Sequence, residues 1–253
     1  MIKDYLNLPE SVEGVGTLHA VSILEWEEFQ SLAHRFLLFS YDYLEYRLNL
    51  TNVRMLDFLV SLVLQSEDGD ERVRYLMDLH RLFEIVFKEP VQSFLNPKTN
   101  QWTFKIGESG VLTSEQFDDV KAIILRQNLL YEPLTVQDEN AQQFINEHLE
   151  RASKMGEPVE MESMLAYVSH TKGLDPSAFQ TYTYYQLRVD FEIAQKMENN
   201  LYIHMYRTQG AKAEPVSVTG KLSIHENPYS IDKIFNKVDE RQDQHLQKMM
   251  SGF

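Results

Sequence analysis

The chain reads as a mainly α protein: a multi-helix, bundle-like body with one small β-hairpin or sheet and a flexible C-terminal arm. Three observations lead there. Apolar residues recur at helical spacing in most long stretches between Pro, Gly and Asn breaks. Alternating, β-type runs are confined to Val12 to Ile23 and Val91 to Ile106. After Gly210 the periodicity fades into small, polar, turn-prone residues.

A length of 253 residues is enough to bury a core without staples, and the chain has no cysteine. Disulfides, thiolate nucleophiles and thiolate metal sites are thereby excluded. The N-terminal MIKDYLNLPE lacks the basic and apolar parts of a signal peptide, and the run Phe58 to Leu64 is too short to span a bilayer. A soluble, intracellular protein is expected. The net charge is −14, and residues 1 to 140 hold 23 acidic against 12 basic side chains. Phosphate neutralisation needs a basic face, so a nucleic-acid partner is disfavoured.

In order, Gly14 and Gly16 punctuate a strand or hairpin, and Ser22 to Glu25 has capping-box spacing before Trp26, Phe29, Leu32, Ala33, Phe36 and Leu37. A second helix follows Thr51-Asn52 with Met55, Leu56, Leu59, Val60 and Val63 apolar. A third, about 70 to 88, carries Val73, Leu76, Leu79, Leu82, Phe83 and Val86 and stops before Pro90. Val91 to Leu95 and Trp102 to Ile106 form a hairpin. The two β segments, Val12 to Ile23 and Val91 to Ile106, are expected to pair in one small sheet. Thr113 to Gln116 has capping-box spacing for a helix through Ile124 and Gln127, closed by Leu129-Leu130-Tyr131.

Further helices are expected from Asp138, over 159 to 172, and briefly after Asp175-Pro176, where Asp caps and Pro takes the first helical position. A long helix over 183 to 207 places Leu187, Phe191, Ala194, Met197 or Glu198, and Leu201 on one face. A last helix from Ser230 presents Ile231, Ile234, Phe235 and Val238. The expected regions are 1–136, helical with a small hairpin; 137–209, helical and packed on the first; and 210–253, a linker and arm.

Chemical motifs are sparse. His80 and Glu84 share a helix face at ligand spacing, but two groups do not make a metal site, and an exposed or satisfied histidine is the simpler reading. Of the carboxylates Glu25/Glu27/Glu28, Glu67 to Glu71, Asp118/Asp119 and Asp138/Glu139, most lie at helix starts, where the helix dipole favours anions. Nucleophile-elbow, phosphate-loop and dinucleotide motifs are absent. No catalytic residue, metal or cofactor is assigned. The contact-rich features are Tyr182, Tyr184 and Tyr185 at the start of the long helix, and Ile231, Phe235 and Met249 in the arm. Tyrosine supplies broad, rigid, half-polar surface, so these six are the partner-binding candidates.

The segment Thr183-Tyr184-Tyr185-Gln186-Leu187 with Phe191, behind Asp175-Pro176, resembles the C-terminal helical region of tail-assembly chaperones and tail-morphogenesis proteins of phages infecting Gram-positive bacteria. So do Arg126-Gln-Asn-Leu-Leu-Tyr-Glu-Pro133 and Glu226-Asn-Pro-Tyr229. The resemblance spans residues 15 to 235. It implies a non-enzymatic protein of the host cytoplasm that binds the tape-measure protein or tail-tube subunits and keeps apolar segments soluble. Two readings from other classes stand beside it: an acidic decoy or inhibitor of a basic host protein, and a metal-dependent hydrolase in which His80 and the carboxylates converge.

Overall fold

Burial of five phenylalanines sets the centre of the fold. Phe29, Phe83, Phe87, Phe104 and Phe117 are all fully buried. Phe83 is the hub: its ring meets Phe87, Phe104 and Phe117 edge to face at centroid distances of 6.4, 5.2 and 6.2 Å. Such pairs add about 0.5–1.5 kcal/mol each beyond the area they bury. The coordinates are a computed structural model that describes residues 2–65, 68–96, 101–154, 159–210, 212–218, 220–230 and 234. The chain is mainly α, with two small sheets.

Contacts divide it into two units, each assembled from separated pieces of chain. The first comprises Met1–Leu37, Asn52–Leu130 and Val159–Glu226. It starts with α1 (Ile2–Tyr5) and the hairpin β1 (Glu10–Val12) and β2 (Gly16–Leu18), followed by a 3-10 turn at Ile23–Glu25 and α2 (Trp26–Phe36). The second unit contributes α3 (Tyr41–Leu48), after which the first resumes with α4 (Met55–Gln65) and α5 (Gly69–Phe87). Next come β3 (Val91–Asn96), β4 (Gln101–Ile106), β5 (Gly110–Leu112) and α6 (Phe117–Gln127). Beyond α7 (Glu139–Lys154) of the second unit lie α8 (Met161–Lys172), a 3-10 stretch at Pro176–Thr181, α9 (Tyr184–Thr208) and a 3-10 turn at Ser223–His225.

The expected periodicities place the core helices well. Trp26, Phe29, Leu32, Ala33 and Phe36 of α2, and Leu79, Leu82, Phe83 and Val86 of α5, are buried. Ion pairs fasten the rims of these two helices. Glu28 accepts two bonds from the Arg81 guanidinium, at 2.8 and 2.7 Å, and Glu25 pairs with Lys88.

Several expectations are corrected. The two β segments do not pair in one sheet: β1–β2 and β3–β4–β5 are separate antiparallel sheets. They meet through one backbone bond, from Val111 N–H to Gly14 C=O at 2.9 Å. Gly110 makes that approach possible, because a Cβ there would lie 1.9 Å from the Val15 carbonyl oxygen. Ser22 does not close a capping box; its hydroxyl donates to the Glu25 carboxylate at 2.9 Å across the 3-10 turn. The short helix after Asp175-Pro176 forms as expected, with Asp175 capping it by accepting from Ser177 N–H at 2.9 Å, and it is of 3-10 type. Helix α6 runs through Gln127 as expected, and Leu129 just beyond it adopts φ 53°. The elements α1, α3 and β5 go beyond those expected.

The second unit comprises Leu38–Thr51, Tyr131–Pro158 and Asn227–Phe253. Ser40 caps α3 by accepting from Tyr43 N–H, and Asp138 caps α7 by accepting from Ala141 N–H at 2.7 Å. Arg47 of α3 donates to the Val136 carbonyl at 2.8 Å and to Gln142 of α7 at 3.3 Å, tying the two helices. Leu44 and Ile145 are buried apolar residues on them. Ile234 is buried, whereas Ile231, Phe235, Val238 and Met249 lie outside the described residues.

Candidate functional site

Helix α9 starts with a complete capping box. Thr183 Oγ1 accepts from Gln186 N–H, and the Gln186 side chain accepts from Thr183 N–H at 3.0 Å. The Thr-x-x-Gln spacing carried this signal in the sequence. The cap is clipped to the chain entering α2: Ile23 N–H donates to the Tyr182 carbonyl at 3.0 Å, and Tyr184 N–H to the Val21 carbonyl at 3.3 Å. Beneath it Ile23, Met164, Val168, Phe179 and Leu187 form a second apolar cluster.

The three candidate tyrosines diverge from this cap, and each has a partner inside the chain. Tyr184 is half-buried and stacks on Trp26, with Arg188 5.9 Å from its ring. Tyr185 is buried, with its hydroxyl 3.4 Å from the His225 ring. Tyr182 packs edge to face on Phe179 at 4.9 Å and donates its hydroxyl to Asp190 at 3.0 Å.

Asp190 is a buried acid that the sequence reading missed. It is 2 % exposed and also receives the Tyr5 hydroxyl at 3.2 Å and the Lys172 ammonium at 2.6 Å. Burial, then the charge of Asp190, pushes the Tyr182 hydroxyl up to about 12 and raises that of Tyr5 in the same way. Both phenols therefore stay protonated and can donate. The signal was an acid at 190 within the apolar series 187, 191 and 194.

Downstream, α9 sorts its side chains into two rows. Glu192, Lys196 and Asn200, at i, i+4 and i+8, reach the backbone of the segment after Gly210. Glu192 accepts from Ser223 N–H at 2.7 Å, the Ser223 hydroxyl at 3.0 Å and Ile224 N–H at 3.0 Å. Lys196 donates to the Lys221 carbonyl at 3.2 Å. The Asn200 amide donates to the Val216 carbonyl and accepts its N–H, both at 2.8 Å. The stretch expected as a linker or mobile loop is thus bonded along the helix between 216 and 224. Burial alone would raise the Glu192 carboxyl, but bonds from Ser223, Lys196 and Ile224 outweigh it and hold the group down at about 2.

The other row is apolar and open. Met197, Leu201 and Met205 continue the face that buries Leu187, Asp190 and Ala194, with Tyr202 and Tyr206 beside them. These five are 52, 66, 59, 50 and 58 % exposed. Met197 and Leu201 thus share the face that periodicity assigned them, but that face is exposed at their end of the helix. Helix α8, their packing neighbour upstream, has 12 residues against 25 in α9. At 1.5 Å per residue it is only about half as long as α9.

The carboxylate clusters serve helix starts and ion pairs: Asp68 caps α5 by accepting from Asp70 N–H, and Asp118 and Asp119 occupy the first turn of α6. Glu67 lies outside the described residues. His80 is neither exposed nor satisfied. Its Nε2 is buried without a hydrogen-bond partner, its ring meets Phe104 edge-on at 5.9 Å, and burial lowers its pKa. Among the described residues no three His, Asp or Glu side chains come together as a metal-holding group. Among them, too, no helix is long and apolar enough to cross a membrane. No family model, no curated protein and no solved structure matches this chain.

Proposed function

We propose that this chain is a non-enzymatic phage tail-assembly protein, chaperone-like, that holds an apolar helical segment of the tape-measure protein or of tail-tube subunits in the host cytoplasm. The observation that carries the reading is the open row of Met197, Leu201, Tyr202, Met205 and Tyr206 on α9. Apolar side chains at i, i+4 and i+8 are the pattern by which one amphipathic helix receives another. Methionine adapts to irregular partners, and tyrosine adds rigid area at small entropic cost. The resemblance of the Thr183 to Phe191 segment to tail-morphogenesis proteins selects the class of partner.

Co-expression of the chain with the tape-measure protein and, separately, with the tail-tube protein tests this. Stable co-purification with at least one is expected, and its loss in a Leu201→Asp/Met205→Asp variant with unchanged circular dichroism. Association with neither protein overturns the reading. So does binding that the double substitution leaves intact.

A further inference from the structure

Strand β3 forms one edge of its sheet, in the order β3–β4–β5. Natural edge strands are blunted by charge, proline, a bulge or shortness. β3 has none of these. Its residues, Val91-Gln-Ser-Phe-Leu-Asn96, are uncharged, and it pairs with β4 in unbroken register over its six residues. Phe94 is 50 % and Leu95 47 % exposed.

Hydrogen bonds on either side fix which backbone groups face outward. The Pro90 carbonyl accepts from Gly107 N–H at 2.9 Å, on the β4 side, and the Phe94 carbonyl accepts from the Thr103 hydroxyl of β4 at 3.4 Å. The Val91 N–H turns the other way, toward Glu84. Alternation along an antiparallel strand then directs the even-numbered residues to β4 and the N–H and C=O of Ser93 and Leu95 outward.

The geometry points to pairing of β3 with β3 of a second copy of this chain, antiparallel about a twofold axis through Phe94. In that register Phe94 meets Phe94 of the second copy at a non-hydrogen-bonded position, where side chains approach most closely. On either side Ser93 lies opposite Leu95 of the copy in a pair that exchanges both backbone bonds. The two three-stranded sheets become one of six strands. A second copy suits this edge because no charge in β3 opposes its own image, and the axis sets aromatic against aromatic. At longer range, copies of charge −14 repel one another, so added salt strengthens the dimer.

Sedimentation equilibrium of the full chain across the micromolar range, at low and moderate salt, tests the pairing. A salt-strengthened monomer–dimer equilibrium is expected. Ser93→Pro removes an N–H that faces outward while leaving the β4 ladder intact, and it is expected to weaken the dimer about tenfold or more, since two bonds are lost by symmetry. Phe94→Lys, which leaves the backbone unaltered, is expected to abolish it through two facing cations and decides the matter if the proline variant misfolds. A wild-type chain that stays monomeric overturns the proposal. So does a dimer that salt weakens, or one that persists undiminished in the folded variants.

Discussion

The ring of Tyr184 lies flat on the indole of Trp26, with centroids 3.7 Å apart and planes 8° from parallel. One residue opens α9 and the other opens α2, so this stack joins the two helices at their first turns. Backbone bonds from Ile23 N–H and Tyr184 N–H flank it and fix its register. Tyr184→Ala is expected to destabilise the protein by about 2–3 kcal/mol, the loss of a large aromatic contact tempered by its partial exposure. Tyr184→Phe keeps the stack and gives up only a 3.5 Å contact with Arg188, so its midpoint should stay near wild type. Urea unfolding followed by tryptophan fluorescence separates the two, and equal losses would remove the stack as the cause.

Gly110→Ala carries a different load. Its new methyl would meet the Val15 carbonyl at 1.9 Å and the Ile106 carbonyl at 2.9 Å, both backbone atoms that no rotamer change can move. Either the two sheets separate and the Val111 to Gly14 bond breaks, or β5 shifts on β4. Overpacking of this kind costs about 1–3 kcal/mol. Thermal unfolding should show the loss. The same substitution at Gly69, with nothing within 4 Å and a helical backbone, should be neutral or stabilising.

The contrast between α5 and α9 shows what the sequence could and could not reveal. Leu79, Leu82, Phe83 and Val86 repeat at helical spacing and are buried, because the hydrophobic effect acts on the same periodicity that the eye reads. Met197 and Leu201 continue an equally good pattern yet stand open, because periodicity reports which face is apolar and not whether a neighbour covers it. Strand pairing was less legible still. Val12 to Ile23 and Val91 to Ile106 each read as β, but they form two sheets, whose close approach depends on Gly110 and on β5, three residues too short to announce themselves. In α3 a single buried leucine, Leu44, left almost no periodic signal.

Asp190→Asn should loosen the attachment of α1 to α9. The acid accepts from Tyr5, Tyr182 and Lys172 while 2 % exposed, and an amide keeps the shape but cannot balance the ammonium. Bonds to charged groups are worth about 1.5–3 kcal/mol, and Lys172 can turn toward water, so a loss of about 2 kcal/mol is expected. The Tyr182 phenol, held at about 12 by burial and the neighbouring carboxylate, should titrate closer to its ordinary value once the charge is gone. Ultraviolet titration of the variant against wild type checks this. An unchanged alkaline profile would mean that Asp190 does not govern the tyrosine.

Acid should release the 216–224 segment from α9. The Glu192 carboxyl titrates at about 2 in the folded chain, below the ordinary carboxylate range, because Ser223, Lys196 and Ile224 hold its charged form against the cost of burial. A depressed folded pKa contributes stability that is fully present above the unfolded value of about 4.3 and fades as pH falls through the folded one. Between about pH 4 and 2 the amide resonances of Ser223 and Ile224 should therefore move toward unbonded positions while α5 stays intact. Glu192→Gln removes the charge at every pH, so those resonances should already be displaced at neutral pH and the acid transition should vanish. Asn200→Ala, which frees the Val216 backbone without touching an ionisable group, should loosen the segment at 216 and leave the transition at 223 and 224 in place. A transition that survives in Glu192→Gln would assign it to another carboxylate.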